Sequence, residues 1–423
     1  MKRLLAPLAA LRRRRLDLRA HRLAFRDVPQ ILSLIDAEAI APALETVMPD
    51  WARHSPDTRV ATDAPVTRIS GTGSGHYLFQ SWWSRTPLSD LGVAGATSGA
   101  VADLVQSYCD TRPDLLALHC GAARIGSHLV ALTGPYRAGK STLVARLAAD
   151  PDVALFCDDI LPVAPDGAGI ALGIQPRLRL PLPPGMQEGV RAALMESLTV
   201  QDHRYGFVRS TGQAPLETRV PLDALIVLRR EPGKSARLHA MAPADAAACL
   251  IRQNVADPGE AEAQYDRLTA LANRLVCLCL VYSDLEEAAA FVRHACAGPT
   301  LPAPDVAIAP PLPQDATEPP VTPTDLSRVF CRDTEVSERV IGTDTFLWQM
   351  AGRDYFRLNP VAGAVWRLLE QPMRGHAILD TLNLLFEDTP RDTITHDLAA
   401  LLGQMLARDL VRVTDQRSSC RMP

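Results

Sequence analysis

The sequence predicts an α/β P-loop domain followed by a small winged-helix-like unit, and three stretches carry that prediction. Gly134-Pro135-Tyr136-Arg137-Ala138-Gly139-Lys140-Ser141-Thr142 fits G-x-x-x-x-G-K-[ST], with a strand-like run before it and a helix-like run after it. Residues 153–157 form a second continuous apolar run, which ends on Asp158-Asp159. Nine prolines lie between Pro299 and Pro323, and strand and helix periodicity resumes beyond them. The expected divisions are a basic arm over 1–23, a P-loop domain over 24–296, a Pro-rich linker over 297–326 and a C-terminal unit over 327–415. The motifs of the P-loop domain fall within 97–296.

Composition narrows the class. The chain has 423 residues, 47% of them hydrophobic, and a net charge of -4, so charge alone argues against a nucleic-acid binder. Nine cysteines, an odd number without a C-x-x-C pair, argue against a disulfide framework or a zinc site and point to the reducing cytoplasm. No apolar run approaches the roughly 18–20 residues that span a bilayer.

In chain order, Met1 to residue 11 is apolar apart from Lys2 and Arg3, and Arg12-Arg13-Arg14-Arg15 forms an unbroken basic run. This arm reads either as a frayed, solvated tail or as a contact for an anionic surface. Residues 66–70 and 76–81 look like strands of a hairpin turned by Gly71-Thr72-Gly73-Ser74-Gly75, while the rest of 24–96 is hard to read. A helix is expected over 98–108, then strands over 115–122 and 128–133, then the P-loop and its helix over 141–149.

The P-loop spacing has a physical basis. Its glycines allow the backbone to aim successive N–H groups at an anion, and the helix that follows presents the positive end of its dipole. Lys140 would reach the β- and γ-phosphates, and the Ser141 hydroxyl would ligate Mg²⁺. Asp158 and Asp159, at the carboxyl end of the next strand, can supply a base for a substrate hydroxyl and a metal ligand.

Leu118-His119-Cys120-Gly121, the P-loop and Leu155-Phe156-Cys157-Asp158-Asp159-Ile160 together resemble the catalytic domain of HPr kinase/phosphorylase. They look closer still to its homologues in peptide-modifying pathways, including lasso-peptide tailoring kinases. Gln175-Pro176-Arg177-Leu178-Arg179-Leu180-Pro181 is similar to a strand of those homologues. So are the run 220–228 and the closing strand and helix over 275–294. The resemblance implies a phosphate-binding lysine at Lys140, a Mg²⁺-binding serine at Ser141, a proton-accepting aspartate at Asp158 and a site histidine at His119. Asp159 is then a second metal or orienting carboxylate. Tyr136 and Arg137 depart from the family's loop, and its second acidic metal ligand has no counterpart between Pro162 and Gly185.

Past the linker, strands are expected over 340–349 and 355–358, turned by Ala351-Gly352-Arg353-Asp354. Asn359-Pro360 opens a helix to 369, and further helices follow over 376–386 and 392–408. The last repeats apolar residues at Ile394, Leu398, Leu401, Leu402, Met405 and Leu406. The run from Phe356 to Leu369 resembles the PqqD family, the leader-peptide recognition element of ribosomally made, modified peptides. That resemblance implies a leader added as a strand to the sheet edge, beside the third helix.

The expected function is thus an ATP- and Mg²⁺-dependent kinase acting on a hydroxyl, most simply Ser, of a ribosomal precursor peptide. Its leader would be held by the C-terminal unit. Two alternatives stand beside it: a nucleotide-gated peptide chaperone without chemistry, and a small-molecule kinase. A homo-oligomer is compatible with the sequence; nucleic acid and a membrane span are not expected.

Overall fold

Residues 21–55, 64–135, 138–183, 185–256, 261–301, 322–349 and 355–414 are described by the computed structural model. The arm up to residue 20, Tyr136, Arg137, most of the linker and the 351–354 turn lie outside the described residues.

The first strands form a six-stranded sheet in the order β3-β1-β2-β4-β5-β6. They are β1 (His21–Phe25), β2 (Val28–Ile35), β3 (Arg53–His54), β4 (Val66–Gly73), β5 (His76–Gln80) and β6 (Leu88–Leu91), with helix α1 (Ile40–Val47) after β2. The expected hairpin is the β4-β5 pair, antiparallel across the glycine turn. The first strand begins inside the stretch read as an arm. Helix α2 (Val93–Asp110) starts five residues before the expected 98. Buried Ala94, Ala96 and Thr97 carry its opening turn, and the Gly95 N–H donates to an Asp202 carboxylate at 2.8 Å. A first turn of small residues has little apolar periodicity to betray it.

The central sheet follows. Its elements are β7 (Leu116–His119), β8 (Gly121–Ile125), β9 (His128–Thr133), helix α3 (Lys140–Leu147), β10 (Val153–Cys157), β11 (Ile160–Val163) and β12 (Ala168–Ile170). A separate three-stranded sheet holds β13 (Arg177–Arg179), β14 (Leu198–Gln201) and β15 (Tyr205–Val208), with helix α4 (Glu188–Glu196) between the first two. The central sheet then resumes with β16 (Arg219–Arg230) and β17 (Arg237–Ala240). Helices α5 (Pro243–Gln253) and α6 (Ala261–Arg274) intervene before β18 (Val276–Tyr282) and helix α7 (Leu285–Cys296).

Strand β9 runs parallel to β16, and β16 parallel to β18. Strand β8 is antiparallel to both β9 and β10. The carboxyl ends of β9, β10, β16 and β18 therefore meet along one edge of the sheet. The expected strand over 115–122 is two strands, because the chain changes partners at Cys120. Strand β7 pairs with β11, whereas β8 pairs with β9 and β10, and the Cys120 N–H donates to the Asp159 carbonyl at 2.9 Å. Gly121 at that switch lets α3 close on the sheet, since a Cβ there would sit 2.3 Å from a Val144 methyl.

The chain falls into two compact units, and sequence order does not separate them cleanly. The second comprises Ala242–Ile251, Pro258–Asn273 and Pro310–Pro423, so most of α5 and α6 group with the C-terminal residues. Within it lie β19 (Val329–Arg332), β20 (Val336–Ile341), β21 (Asp344–Gln349) and β22 (Tyr355–Leu358), then helix α8 (Pro360–Leu368) and β23 (Met373–Arg374). Helices α9 (Gly375–Leu385) and α10 (Arg391–Ala407) and strand β24 (Val411–Thr414) complete it. The expected strand over 340–349 breaks at Gly342, whose φ of 60° suits a tight turn that lets β20 fold back on β21. Of the stripe on α10, Ile394, Leu398, Leu402 and Met405 are buried. They pack with Leu347, Phe356 and Leu358 from one face of the β20-β21-β22 sheet.

The other face of that sheet meets α5 and α6. Tyr265 stacks on Trp348 at 4.4 Å, and Arg339 pairs with Asp266. Arg357 bridges Asp344 at 2.6 Å and Asp245 at 2.7 Å, where both carboxylates are buried. Asn359 caps α8 as expected, its carboxamide oxygen accepting from the Ala362 N–H at 2.9 Å. Replacing it by Ala should lower the stability of this unit by about 1 kcal/mol, read as faster hydrogen exchange of the α8 amides.

Candidate functional site

The mixed central sheet brings the expected site residues to one edge. The P-loop leaves the carboxyl end of β9 and Asp158-Asp159 leave that of β10, with Arg230 and Tyr282 at the ends of β16 and β18. His119 ends β7 on the same side, beside the start of β8. Ligands in open α/β sheets sit beyond such strand ends. A cavity of about 580 Å³ occupies this place. His119, Ala138, Gly139, Lys140, Ser141, Thr142 and Asp159 all line it.

The loop is set by local geometry. Gly139 has φ 92°, a left-handed conformation that a side chain would strain, and its carbonyl accepts the first α3 bond from Leu143 N–H at 2.9 Å. The Tyr282 hydroxyl donates to the Ala138 carbonyl at 2.8 Å, pinning the loop from β18. The Lys140 ammonium reaches back to the Gly134 carbonyl at 3.1 Å. Arg177, Arg179 and Arg230 line the cavity with Lys140, against the carboxylates Asp159 and Asp284. Four cations around a helix N-terminus suit a polyphosphate. Gly134 and Pro135 lead into the loop, while Tyr136 and Arg137 lie outside the described residues.

The two aspartates differ in setting. Packing around its carboxyl, and then the Asp159 charge, push Asp158 up to about 7. The Arg177 backbone N–H, donating to it at 2.7 Å, and the Arg177 charge work against that rise. For Asp159 the cost of burial would raise the pKa, but the His119 bond and the Arg177 and Lys140 charges outweigh it and hold the carboxyl below its ordinary range. His119 Nε2 lies 3.3 Å from Asp159 Oδ1. A raised and a lowered carboxylate side by side is the arrangement that separates a proton acceptor from a permanent anion.

The donors present fit Mg²⁺. Among the described residues no cluster of three or more His, Cys, Asp or Glu side chains could cage a metal. Mg²⁺ typically takes one or two protein oxygens and fills its shell with phosphate oxygens and water, and Ser141 and Asp159 line one cavity.

Sequence reasoning placed no role on Arg177, Arg230 or Tyr282. Arg177 lies in the Gln175-Pro176-Arg177 stretch that carries part of the family resemblance, so a signal existed. The other two are brought in by the pairing of β16 with β18, which no local pattern reports.

Comparison with known proteins bears on the C-terminal unit. Residues 344–411 match the family model described as Coenzyme PQQ synthesis protein D (PqqD). The second unit carries a PqqD domain. The match runs from β21 to the start of β24 and takes in all three helices of the domain. A solved structure, TbiB1 in complex with the TbiA(beta) leader peptide, is similar at 23% identity. The likeness covers 20% of this chain and 99% of that chain, with a TM-score of 0.19. No curated protein matches the chain. The PqqD domain has β20 and β22 as the edges of its three-stranded sheet. Strand β22 is the edge beside the third helix, where Arg408, just past α10, lies over the Phe356 ring at 4.6 Å. No helix among the described residues is long and apolar enough to cross a membrane.

Proposed function

We propose that this protein is an ATP- and Mg²⁺-dependent kinase that phosphorylates a hydroxyl, most simply Ser, of a ribosomally made precursor peptide, whose leader its PqqD domain binds. One observation carries the kinase reading: a P-loop and an aspartate pair leave the same-facing ends of two co-directional strands flanking β8, and the loop lines a cationic cavity together with Asp159. The resemblance of the same motifs to HPr kinase/phosphorylase and its peptide-tailoring homologues supports it. The PqqD match supports the leader, and β22 beside α10 is the edge where a leader strand could add by main-chain bonds.

In this reading Lys140, Arg177 and Arg230 neutralise the phosphates, and the loop amides orient them. Mg²⁺, held by Ser141 and Asp159, would draw charge off the transferred phosphoryl group. Asp158 accepts the proton of the attacking hydroxyl. His119 holds Asp159 in place. A nucleotide-gated chaperone remains the second reading, motivated by the departures of Tyr136 and Arg137 from the family's loop.

Incubation with ATP, Mg²⁺ and the cognate precursor peptide, sought among short reading frames beside the gene, should give a phosphopeptide by mass spectrometry. Phosphate-free peptide at every enzyme concentration would remove the kinase reading in favour of the chaperone. Lys140→Ala should weaken ATP binding by about 10–100-fold, the worth of one charge-assisted contact of about 1.5–3 kcal/mol. Calorimetry giving equal affinities would detach the loop from nucleotide binding.

A further inference from the structure

Asp158 does not line the nucleotide cavity. It opens instead on a second cavity of about 320 Å³ in the same unit. The wall of this second space is largely apolar, with Val101 and Val105 from α2, Phe156 and Ile160 beside the aspartates, and Ile174 and Phe207 opposite. Among the described residues, only Asp159 and Arg177 belong to both cavities, so they form the partition between them. Arg177 is fixed in that position. Its guanidinium bonds the Ser98 hydroxyl and lies over the Tyr205 ring at 4.9 Å. Its backbone N–H holds Asp158.

The cavity also has a positioned aromatic lip. Trp83 lines it while remaining 63% exposed, an unusual state for an indole with no task. The indole N–H donates at 3.0 Å to Asp103, which is 2% exposed. Asp103 in turn accepts from Ser81 at 2.9 Å and from Thr67. A buried carboxylate that is itself anchored by Ser81 and Thr67 keeps the bonded indole at the cavity rather than free in solvent.

We propose that this cavity is the acceptor subsite and takes a bulky apolar side chain next to the reacting hydroxyl of an extended peptide. The proposal rests on the kinase reading and deepens it, by making the enzyme selective for a hydroxyl flanked by aliphatic or aromatic residues. A pocket of this volume with an apolar wall and few polar groups is built for such a side chain. Seating the side chain there sets the neighbouring hydroxyl at the Asp159–Arg177 boundary, with Asp158 on its own side and the phosphates held by Lys140 and Ser141 facing it across that boundary. The hydroxyl proton passes to the Asp158 carboxylate, and its oxygen bonds the γ-phosphorus of the nucleoside triphosphate. The bond from that phosphorus to the bridging oxygen breaks, and the electron pair leaves with the diphosphate. A charged neighbour would have to be desolvated against Phe156 and Val105, so discrimination comes from exclusion as well as attraction.

The test uses the full chain and two capped pentapeptides, acetyl-Gly-Leu-Ser-Leu-Gly-amide and acetyl-Gly-Asn-Ser-Asn-Gly-amide. Binding is read by calorimetry with a non-hydrolysable ATP analogue present, and transfer by mass spectrometry with ATP. The wild type should bind the Leu peptide at least about tenfold more tightly than the Asn peptide, the scale of hydrophobic-pocket discrimination. Ala102 lines the cavity from an exposed position on α2, so Ala102→Trp can fill the space without entering the core. That variant should bring the ratio below about twofold while leaving the affinity for the ATP analogue alone unchanged. Ile174→Ala, which enlarges the space, should shift preference toward a Phe-flanked peptide. Equal binding of both peptides by the wild type would overturn the proposal and leave the kinase reading to the transfer assay. Loss of analogue binding in Ala102→Trp would also overturn it, by giving the cavity to the nucleotide. Selective binding that Ala102→Trp abolishes upholds the subsite; if no phosphate reaches either peptide, the kinase reading alone fails.

Discussion

Asp158→Asn should leave ATP bound and slow phosphate transfer to peptide by about 10²–10⁴-fold, the range of general-base catalysis. The substitution is nearly isosteric, and the carboxamide oxygen can still accept from the Arg177 N–H that meets Asp158 at 2.7 Å. The local backbone therefore keeps its bond, and the lost property is the capacity to take a proton. Packing already holds the Asp158 carboxyl near neutrality, at about 7, where a base is best matched to its task. Calorimetry should return the wild-type affinity for ATP, because Asp158 lines the apolar cavity and not the one lined by Lys140 and Ser141. Phosphopeptide formed at the wild-type rate would show that another group accepts the proton. Weak ATP binding in this variant would instead mean that the partition between the cavities is misassigned.

The second large effect concerns the peptide. Removing the leader should lower kcat/KM by about 10²-fold, with most of the change in KM and kcat at saturation little altered. In the proposed reading, capture by the PqqD domain would make the encounter with Asp158 intramolecular, at an effective concentration up to the mM range when the linker matches the span. Free leader peptide added in trans should inhibit phosphorylation of the full precursor and leave a leaderless peptide unaffected. Inhibition of both would place leader binding at the catalytic cavity itself; inhibition of neither would remove the PqqD domain from recognition. This comparison keeps the protein whole, which matters here. Deleting 325–423 would strip Trp348, Arg339 and Arg357 from the faces of α5 and α6 that they cover, and would leave Asp245 without its partner.

What the sequence revealed follows from how local each signal was. The P-loop, β9, β10, β22 and the Asn359 cap are written in consecutive residues, through glycines, apolar runs and an N-cap. The N-terminal sheet was mostly illegible because β2 joins β4, in parallel, across a long connection, and a pairing of that kind leaves no pattern in either strand. Cys120 and Gly342 split runs that read as single strands, because apolar continuity does not report a change of partner. Motif alone picked out Lys140, Ser141, Asp158, Asp159 and His119, which the fold brings to two adjoining cavities. Arg177 was quoted without a role, and Trp83 and Asp103 were missed, because their meaning lies in a hydrogen bond between distant stretches.

Helices α5 and α6 sit between β17 and β18, which pair with each other in the first unit, while most of both helices group with the PqqD domain. The domain is thus stitched into the chain rather than appended to it. A graft that moved only the residues after the proline stretch into another protein would leave behind α5 and α6, which cover one face of the β20-β21-β22 sheet. Any successful exchange between such proteins has to carry three stretches of chain at once, so the PqqD domain and the first unit are expected to be inherited as a matched pair.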